Sequence, residues 1–492
     1  MKKAILLEHG LLVDGRGDDP VHADLLLQGE RVVALAPNLR TQLPHGLAMH
    51  EVDAVDCRGL AVAPGFIDVH THDDAIVLDA PEMTPKLSQG VTTVVTGNCG
   101  LSVAPLVTTQ PQGALTLLGR AFRYDSLAAY ADAVRAARPA LNVAPLIGHT
   151  SLRSACVRDL TRAADAAERD AMCALLERCM REGAIGLSSG LFYAEAMPAP
   201  ASEVTALARV VARHGGVYAT HMRTEMAGIL DAMREAGDTA FEAGVPLVIS
   251  HHKCAGPANW GRTAETLPLI DQLAQRQEIG MDVYPYVAGS TVLREDLVDG
   301  VIDVLVSWST PHPEMTGRLL ATVAAEWGVT QKEACRRLQP GGACYFQMNE
   351  DDVRRVLAHP RSMVGSDGLP HDRHPHPRLW GAFPRVLARY CRDQGLFPLA
   401  QAVHKMTGLS ARRFRLHDRG ELRPGAFADV VVFDPARVRD LATYEEPLRR
   451  SEGIARVYVN GELALTADAP SCLARAGRPL LRVPAPPRAM PR

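Results

Sequence analysis

Apolar and polar positions change places in short runs at both ends of the chain and in longer blocks between them. Near the start, residues 4–13, 23–28 and 31–35 and a further run from Leu60 are apolar, with Gly10, Gly15, Gly29 and Pro37 as punctuation. Such spacing predicts short strands and turns. The far end has the same texture, with runs at 429–433 and 455–459 leading into Asn460-Gly461, the strongest short hairpin signal. Neither end is long enough for a core of its own, so the two are expected to pair as one small β-sandwich domain built from residues 1–62 and 419–480. The Arg- and Pro-rich stretch from Arg478 to Arg492 reads as a loosely held tail, with 481–492 outside the domain.

Between the ends, apolar runs at 61–69, 91–96, 142–147, 184–188, 217–220, 246–250, 280–284 and 362–365 alternate with amphipathic segments such as 163–182 and 203–214. Eight strands in alternation with helices predict an α/β fold, a closed (β/α)8 barrel of the TIM type over residues 63–418. Chemistry in such a barrel sits at the C-terminal ends of the strands. Residues 287–345 run much further than a barrel loop and predict an inserted lobe able to cover that mouth.

The polar residues at the strand ends then matter together. His70 and His72, one residue apart at the end of the first run, fall on one face of an extended strand. Cys99 follows the second run, His221 ends the fifth, His251 and His252 end the sixth, and Asp367 follows the eighth. Singly each has a plainer reading: Cys99 as a small buried hydrophobe, His252 as a solvent-facing neighbour of a ligand, Asp367 as a helix cap before Gly368. Closing the barrel brings a thiolate, imidazoles and a carboxylate to one mouth, a donor set for one or two Zn²⁺ ions.

Charge and composition narrow the partners. A net charge of -3 over 492 residues, with both signs mixed along the chain, gives no reason to expect nucleic acid or an anionic membrane surface. Ten scattered cysteines without a C-x-x-C pair read as reduced thiols, and no apolar span is long enough to cross a bilayer. After Lys2-Lys3 the apolar stretch is broken by Glu8, His9 and Asp14, which favours a first strand over a leader segment. The expectation is a cytoplasmic protein, monomer or homo-oligomer, acting on a small molecule.

The motifs Pro64-Gly-Phe-Ile-Asp-Val-His-Thr-His72, Gly97-Asn-Cys99, His221, Ser250-His-His-Lys253 and Gly365-Ser-Asp-Gly368 resemble the amidohydrolase superfamily. Within it, Thr92-Thr-Val-Val-Thr-Gly-Asn-Cys-Gly100 and Pro375-His-Pro-Arg-Leu-Trp380 are similar to the N-acyl-D-amino-acid deacylases, and the likeness runs over nearly the whole chain. The resemblance implies a tightly held zinc on Cys99, His221 and His251 and a second, weaker position on His70, His72 and Asp367. Strand four, at 186–190, has no lysine, so a carbamate bridge of the hydantoinase kind is not expected.

Asp367, the only carboxylate among the strand-end candidates, is expected to act as general base in amide hydrolysis. Lys253, Tyr284 and Arg378 are suitably placed to bind a substrate carboxylate, the duty the resemblance gives them, with Ser290 nearby. It also implies Phe192, Tyr345 and Met348 as apolar walls suited to D-Met, D-Leu or D-Phe derivatives. Arg294 and Asp299 lie in the insertion: an Arg294 facing the pocket favours N-acyl-D-aspartate or N-acyl-D-glutamate, whereas one facing water, the reading taken here, leaves the apolar preference. A cyclic-amide hydrolase of the dihydropyrimidinase kind and a non-catalytic barrel scaffold are the alternatives from other classes.

Overall fold

The computed structural model describes residues 3–45, 47–119 and 122–482. Eight parallel strands form its centre: Phe66–Asp68 (β1), Val91–Thr96 (β2), Asn142–Gly148 (β3), Gly186–Gly190 (β4), Val217–His221 (β5), Leu247–Ile249 (β6), Ile279–Val283 (β7) and Ser362–Val364 (β8). Each is hydrogen-bonded to the next, from β1 through to β8. Every residue in them is buried, as strands sandwiched between a barrel interior and a helical shell must be. The ring is nearly closed. Between β1 and β8 the link is made beyond the strands, by a bridge from Thr71 to Gly368 and by Asp367 N–H donating to His70 O at 2.8 Å.

Helices between the strands follow their apolar spacing. Helix Ala166–Arg181 starts on a reciprocal cap, Asp165 accepting from Glu168 N–H and Glu168 from Asp165 N–H, and buries Met172, Leu176 and Met180. Helix Ala201–Arg213 buries Val204, Leu207, Ala208 and Val211 against the barrel.

The first apolar run, read from the sequence as one strand over 61–69, is two. Ala61–Pro64 belongs to the terminal sheet and Phe66–Asp68 to the barrel, and Gly65 divides them. Gly65 N–H donates to Asp429 O in one sheet, and Phe66 N–H donates to Gly90 O in the other. A Cβ on Gly65 would fall 2.2 Å from the Thr92 side chain, so only glycine lets the chain cross here.

The two chain ends join in one mixed sheet of eight strands. Its order is Glu462–Thr466, Ile454–Val459, Val430–Phe433, Ala61–Pro64, Ala4–Leu12, Val21–Gln28 and Arg31–Ala36, with Val52–Asp56 also paired to Ala4–Leu12. Leu7, Leu25, Val62, Val430 and Val432 make its core. The stretch expected to hang loose is bonded where it is described: Val143 N–H donates to Arg478 O, Leu480 N–H to Val143 O and Arg482 N–H to Gly183 O, and Arg478 pairs with Glu30 at 2.8 Å. Residues 483–492 of that stretch, and Met1 and Lys2 at the other end, lie outside the described residues.

The insertion carries strands Gly289–Val292, Val304–Ser309 and Gly341–Tyr345 in one antiparallel sheet, with helices Leu320–Trp327 and Gln331–Leu338 beside it. Val306, Leu320, Val323, Ala334 and Leu338 give it a core of its own, and its first and last strands bring Ser290 and Tyr345 to the barrel mouth. No helix among the described residues is long and apolar enough to cross a membrane.

Candidate metal centre

The strand ends converge. Cys99 Sγ lies 3.3 Å from His251 Nε2, which lies 3.0 Å from His221 Nδ1. His70 Nε2 is 3.2 Å from the same Sγ, and Asp367 Oδ1 is 3.2 Å from His72 Nε2 and 3.4 Å from His70 Nε2. Two donor clusters result, Cys99/His221/His251 and His70/His72/Cys99/Asp367, each with its ligand atoms within 4.8 Å of one another. Cys99, His251 and Asp367 all have left-handed backbone, with φ of 53°, 37° and 50°. Such strain at non-glycine residues concentrates where a site must aim side chains that a regular strand would point elsewhere.

Carboxylates stand behind two of the rings. Asp282 Oδ1 lies 3.1 Å from His70 Nδ1 and also accepts from His251 N–H, and Glu225 Oε1 lies 2.9 Å from His251 Nδ1. All these groups are buried, and burial alone would neutralise them. Instead, against burial, His70 and His251 pull the Cys99 thiol well below its usual range. Against burial, hydrogen bonds that His72 donates to Asp367 and Cys99 lift it to about 9. His251 rises to about 9 because Glu225 and Cys99 outweigh burial and Lys253. A buried sulfur and imidazole nitrogens thus face one another at 3.0 to 3.3 Å. That donor chemistry fits a borderline-soft divalent ion such as zinc.

A cleft opens over this cluster. Lys253, Tyr284 and Ser290 line one part of it, and Phe192, Leu297 and Tyr345 supply apolar surface. Phe192 stacks on the His221 ring at 5.0 Å. Arg378 is placed differently from the expectation. It is fully buried behind Tyr284, with Nη1 2.8 Å from Asp367 Oδ2 and Nη2 donating to Ser290 O at 3.1 Å. Burial opposes the Asp367 carboxylate, but Arg378 and His70 hold it well below the usual carboxylate range.

Two further expectations, for Met348 and His252, are corrected. Met348 does not line the cleft: it sits behind Tyr284, whose hydroxyl reaches its sulfur at 3.8 Å. Arg294 does not line the cleft: its half-buried side chain runs over the Phe192 ring, 4.1 Å from the centroid, to the solvent-exposed Asp296, which it meets through two contacts of 3.0 and 2.7 Å. His252, taken alone a solvent-facing neighbour, is buried with Nε2 2.8 Å from Thr266 Oγ1, and burial pushes it down to about 4. Asp299 caps its own turn, accepting from Val301 and Ile302 N–H.

Sequence reasoning missed Glu225, Asp282 and Tyr193, whose ring is 5.3 Å from that of His221. Glu225 lies in the irregular segment after β5, where spacing carries no facing rule, and Asp282 lies inside β7 rather than at its end.

A nearly closed (β/α)8 barrel whose strand ends gather a thiolate, imidazoles and a carboxylate under a lined cleft defines a metal-dependent hydrolase of the barrel class. The chain belongs to the amidohydrolase family, whose model matches residues 53–464, and within it to the N-acyl-D-amino-acid deacylases. It is 51% identical to a D-aminoacylase of Alcaligenes xylosoxydans xylosoxydans over 93% of each chain. It is 44% identical to an N-acyl-D-glutamate deacylase of the same organism over 98% of this chain and 97% of that one. Among solved structures, a D-aminoacylase superposes with a TM-score of 0.93 at 48% identity, covering 97% of this chain and 99% of that one. An N-acyl-D-glutamate deacylase of Bordetella bronchiseptica, complexed with zinc and a phosphonate mimic of the tetrahedral intermediate, superposes equally well, at 0.93 and 44%, over 98% of this chain and all of that one.

Proposed function

We propose that this protein hydrolyses the amide bond of N-acyl-D-amino acids with neutral or apolar side chains, such as D-Met, D-Leu or D-Phe, using zinc held by Cys99, His221 and His251. The observation that carries the reading is the meeting of those three ligand atoms beside one ionised carboxylate, Asp367, at the floor of a cleft. The D-aminoacylase and N-acyl-D-glutamate deacylase relatives support the substrate class. His70, His72 and Asp367 offer a second, weaker position. A bound zinc would make water acidic enough to deprotonate near neutral pH and would polarise the amide carbonyl.

The chain's own groups do the rest. Asp367, ionised and 3.2 Å from His72, takes the proton of the attacking water and returns it to the leaving nitrogen. Lys253, Tyr284 and Ser290 lie along the cleft where a substrate carboxylate can be met. Arg378, buried against the Tyr284 ring, holds Asp367 Oδ2 at 2.8 Å; a substrate carboxylate that drew the guanidinium toward the cleft would weaken that grip and raise the basicity of Asp367. Phe192, Leu297 and Tyr345 cover the side chain. Asp296 neutralises Arg294 beside that wall, which favours an uncharged substrate side chain over D-aspartate or D-glutamate. The unpaired cysteines suit the reducing cytoplasm.

The test is zinc content together with parallel assays of N-acetyl-D-methionine, its L-enantiomer, N-acetyl-D-glutamate and dihydrouracil. Preferential hydrolysis of the first is expected. Equal rates on the L-enantiomer, or faster opening of dihydrouracil, would sink the reading.

A further inference from the structure

One buried carboxylate at the centre has no part in the hydrolysis as described. Glu225 is fixed from both sides: its backbone carbonyl accepts from Ala255 N–H at 2.8 Å, and its Oε1 is 2.9 Å from His251 Nδ1 and 2.7 Å from Lys253 Nζ. Lys253 Nζ in turn lies 2.9 Å from the same His251 Nδ1. That nitrogen therefore meets a strong acceptor and a strong donor together. Holding a cation requires the neutral imidazole, which has only one N–H to place.

The two placements have opposite consequences. With the proton on Nδ1, His251 donates to Glu225, and its Nε2 lone pair points toward Cys99 Sγ at 3.3 Å and His221 Nδ1 at 3.0 Å. This is the form that can ligate a cation. With Nδ1 bare, it accepts from Lys253, the proton moves to Nε2, and the ring presents an N–H to the position a cation needs. His70 faces no such contest. Asp282 stands behind its Nδ1 at 3.1 Å, and no lysine or arginine among the described residues reaches that nitrogen.

We propose that Glu225 is a positioning residue that selects the ligating tautomer of His251 against Lys253, so that the carboxylate decides whether the cluster can take a metal. The proposal rests on the reading of Cys99, His221 and His251 as metal ligands. Lys253 Nζ divides its hydrogen bonds between Glu225 Oε1 at 2.7 Å, the His251 ring at 2.9 Å and His251 O at 3.0 Å, so the carboxylate and the ring compete for the same ammonium.

The experiment measures zinc affinity of the metal-stripped protein by competition with a chromogenic chelator, for the parent, E225Q, K253M and the double variant E225Q/K253M. The amide of E225Q keeps the shape and removes the charge. E225Q is expected to bind zinc about 10–100-fold more weakly, the range seen for partners behind a ligating histidine. K253M is expected to bind as tightly as the parent or better. The double variant is expected to regain about fivefold or more over E225Q, a rescue that a merely structural Glu225 would not give. E225Q within about threefold of the parent, or a double variant no tighter than E225Q, overturns the proposal. K253M gives a second arm that can refute: a weakening beyond about threefold would make Lys253 a helper rather than a competitor and overturns the proposal. A parent that takes up no zinc refutes the metal reading itself, and the proposal with it.

Discussion

Asp367→Asn tests the division of labour at the centre. The substitution keeps the size and the left-handed backbone, which asparagine tolerates, and removes the negative charge together with the ability to take a proton. Asp367 lies beside His70 and His72, whereas the contacts that draw Cys99, His251 and His221 together, 3.3 and 3.0 Å, do not involve it. Tightly bound zinc should therefore remain at the parent's stoichiometry. Loss of a general base typically removes two to four orders of magnitude in kcat, about 2.7–5.4 kcal/mol of barrier. Arg378 loses its anionic partner, and a buried charge left wholly unpaired costs about 3–5 kcal/mol. Ser290 O still accepts from it and an amide dipole replaces the carboxylate beside it, so the stability loss should fall at or below the low end of that range. The assay is kcat on N-acetyl-D-methionine with zinc measured on the same sample and a denaturation curve beside it. A kcat within about fivefold of the parent, with zinc intact, would remove Asp367 from proton transfer. A variant that has lost its zinc would place Asp367 among the tight ligands and refute the division itself.

The other expectations are as follows. Arg378→Lys keeps a cation beside Asp367 but loses the two-armed guanidinium, and KM should rise about tenfold, roughly 1.4 kcal/mol, with the fold retained; an unchanged KM excludes Arg378 from substrate binding. Cys99→Ala should abolish stoichiometric zinc and with it at least about three orders of magnitude of activity. Stripping the parent with a chelator should match that loss and zinc should reverse it, whereas full activity in metal-free protein would end the metal mechanism. Asp296→Asn releases the bidentate hold on Arg294 beside Phe192, and the kcat/KM ratio of N-acetyl-D-glutamate to N-acetyl-D-methionine should climb about fivefold or more, on the order of 1 kcal/mol; a constant ratio means Arg294 stays on the ring.

Much of the architecture was legible because it depends on periodicity and chain order. Each of the eight apolar runs supplies a barrel strand, the first also a strand of the terminal sheet, and residues placed just past their ends meet at one mouth, since barrel closure leaves them nowhere else to go. What resisted reading depends on local backbone and on partners. A single missing Cβ at Gly65 divides a run that hydropathy reads as continuous. Arg378 was legible as a cation near the mouth, but its pairing with Asp367 behind Tyr284 depends on how the segment after β8 folds back. Met348 lies beside the right residues on the wrong side of Tyr284, a distinction that sequence distance does not encode. Glu225 and Asp282 escaped because a carboxylate behind a ring is recognised by the nitrogen it faces, and that nitrogen belongs to a different strand end.

The three site residues with positive φ narrow the substitutions by which this pocket could drift or be redesigned. At positions 99, 251 and 367 a valine, isoleucine or threonine would strain the main chain before any question of reactivity arose, whereas glycine, asparagine and aspartate would sit comfortably. A library meant to retune the ion should therefore exchange sulfur for a carboxylate or amide at position 99 and leave bulky branched side chains out. Its failures will otherwise be folding failures mistaken for chemistry.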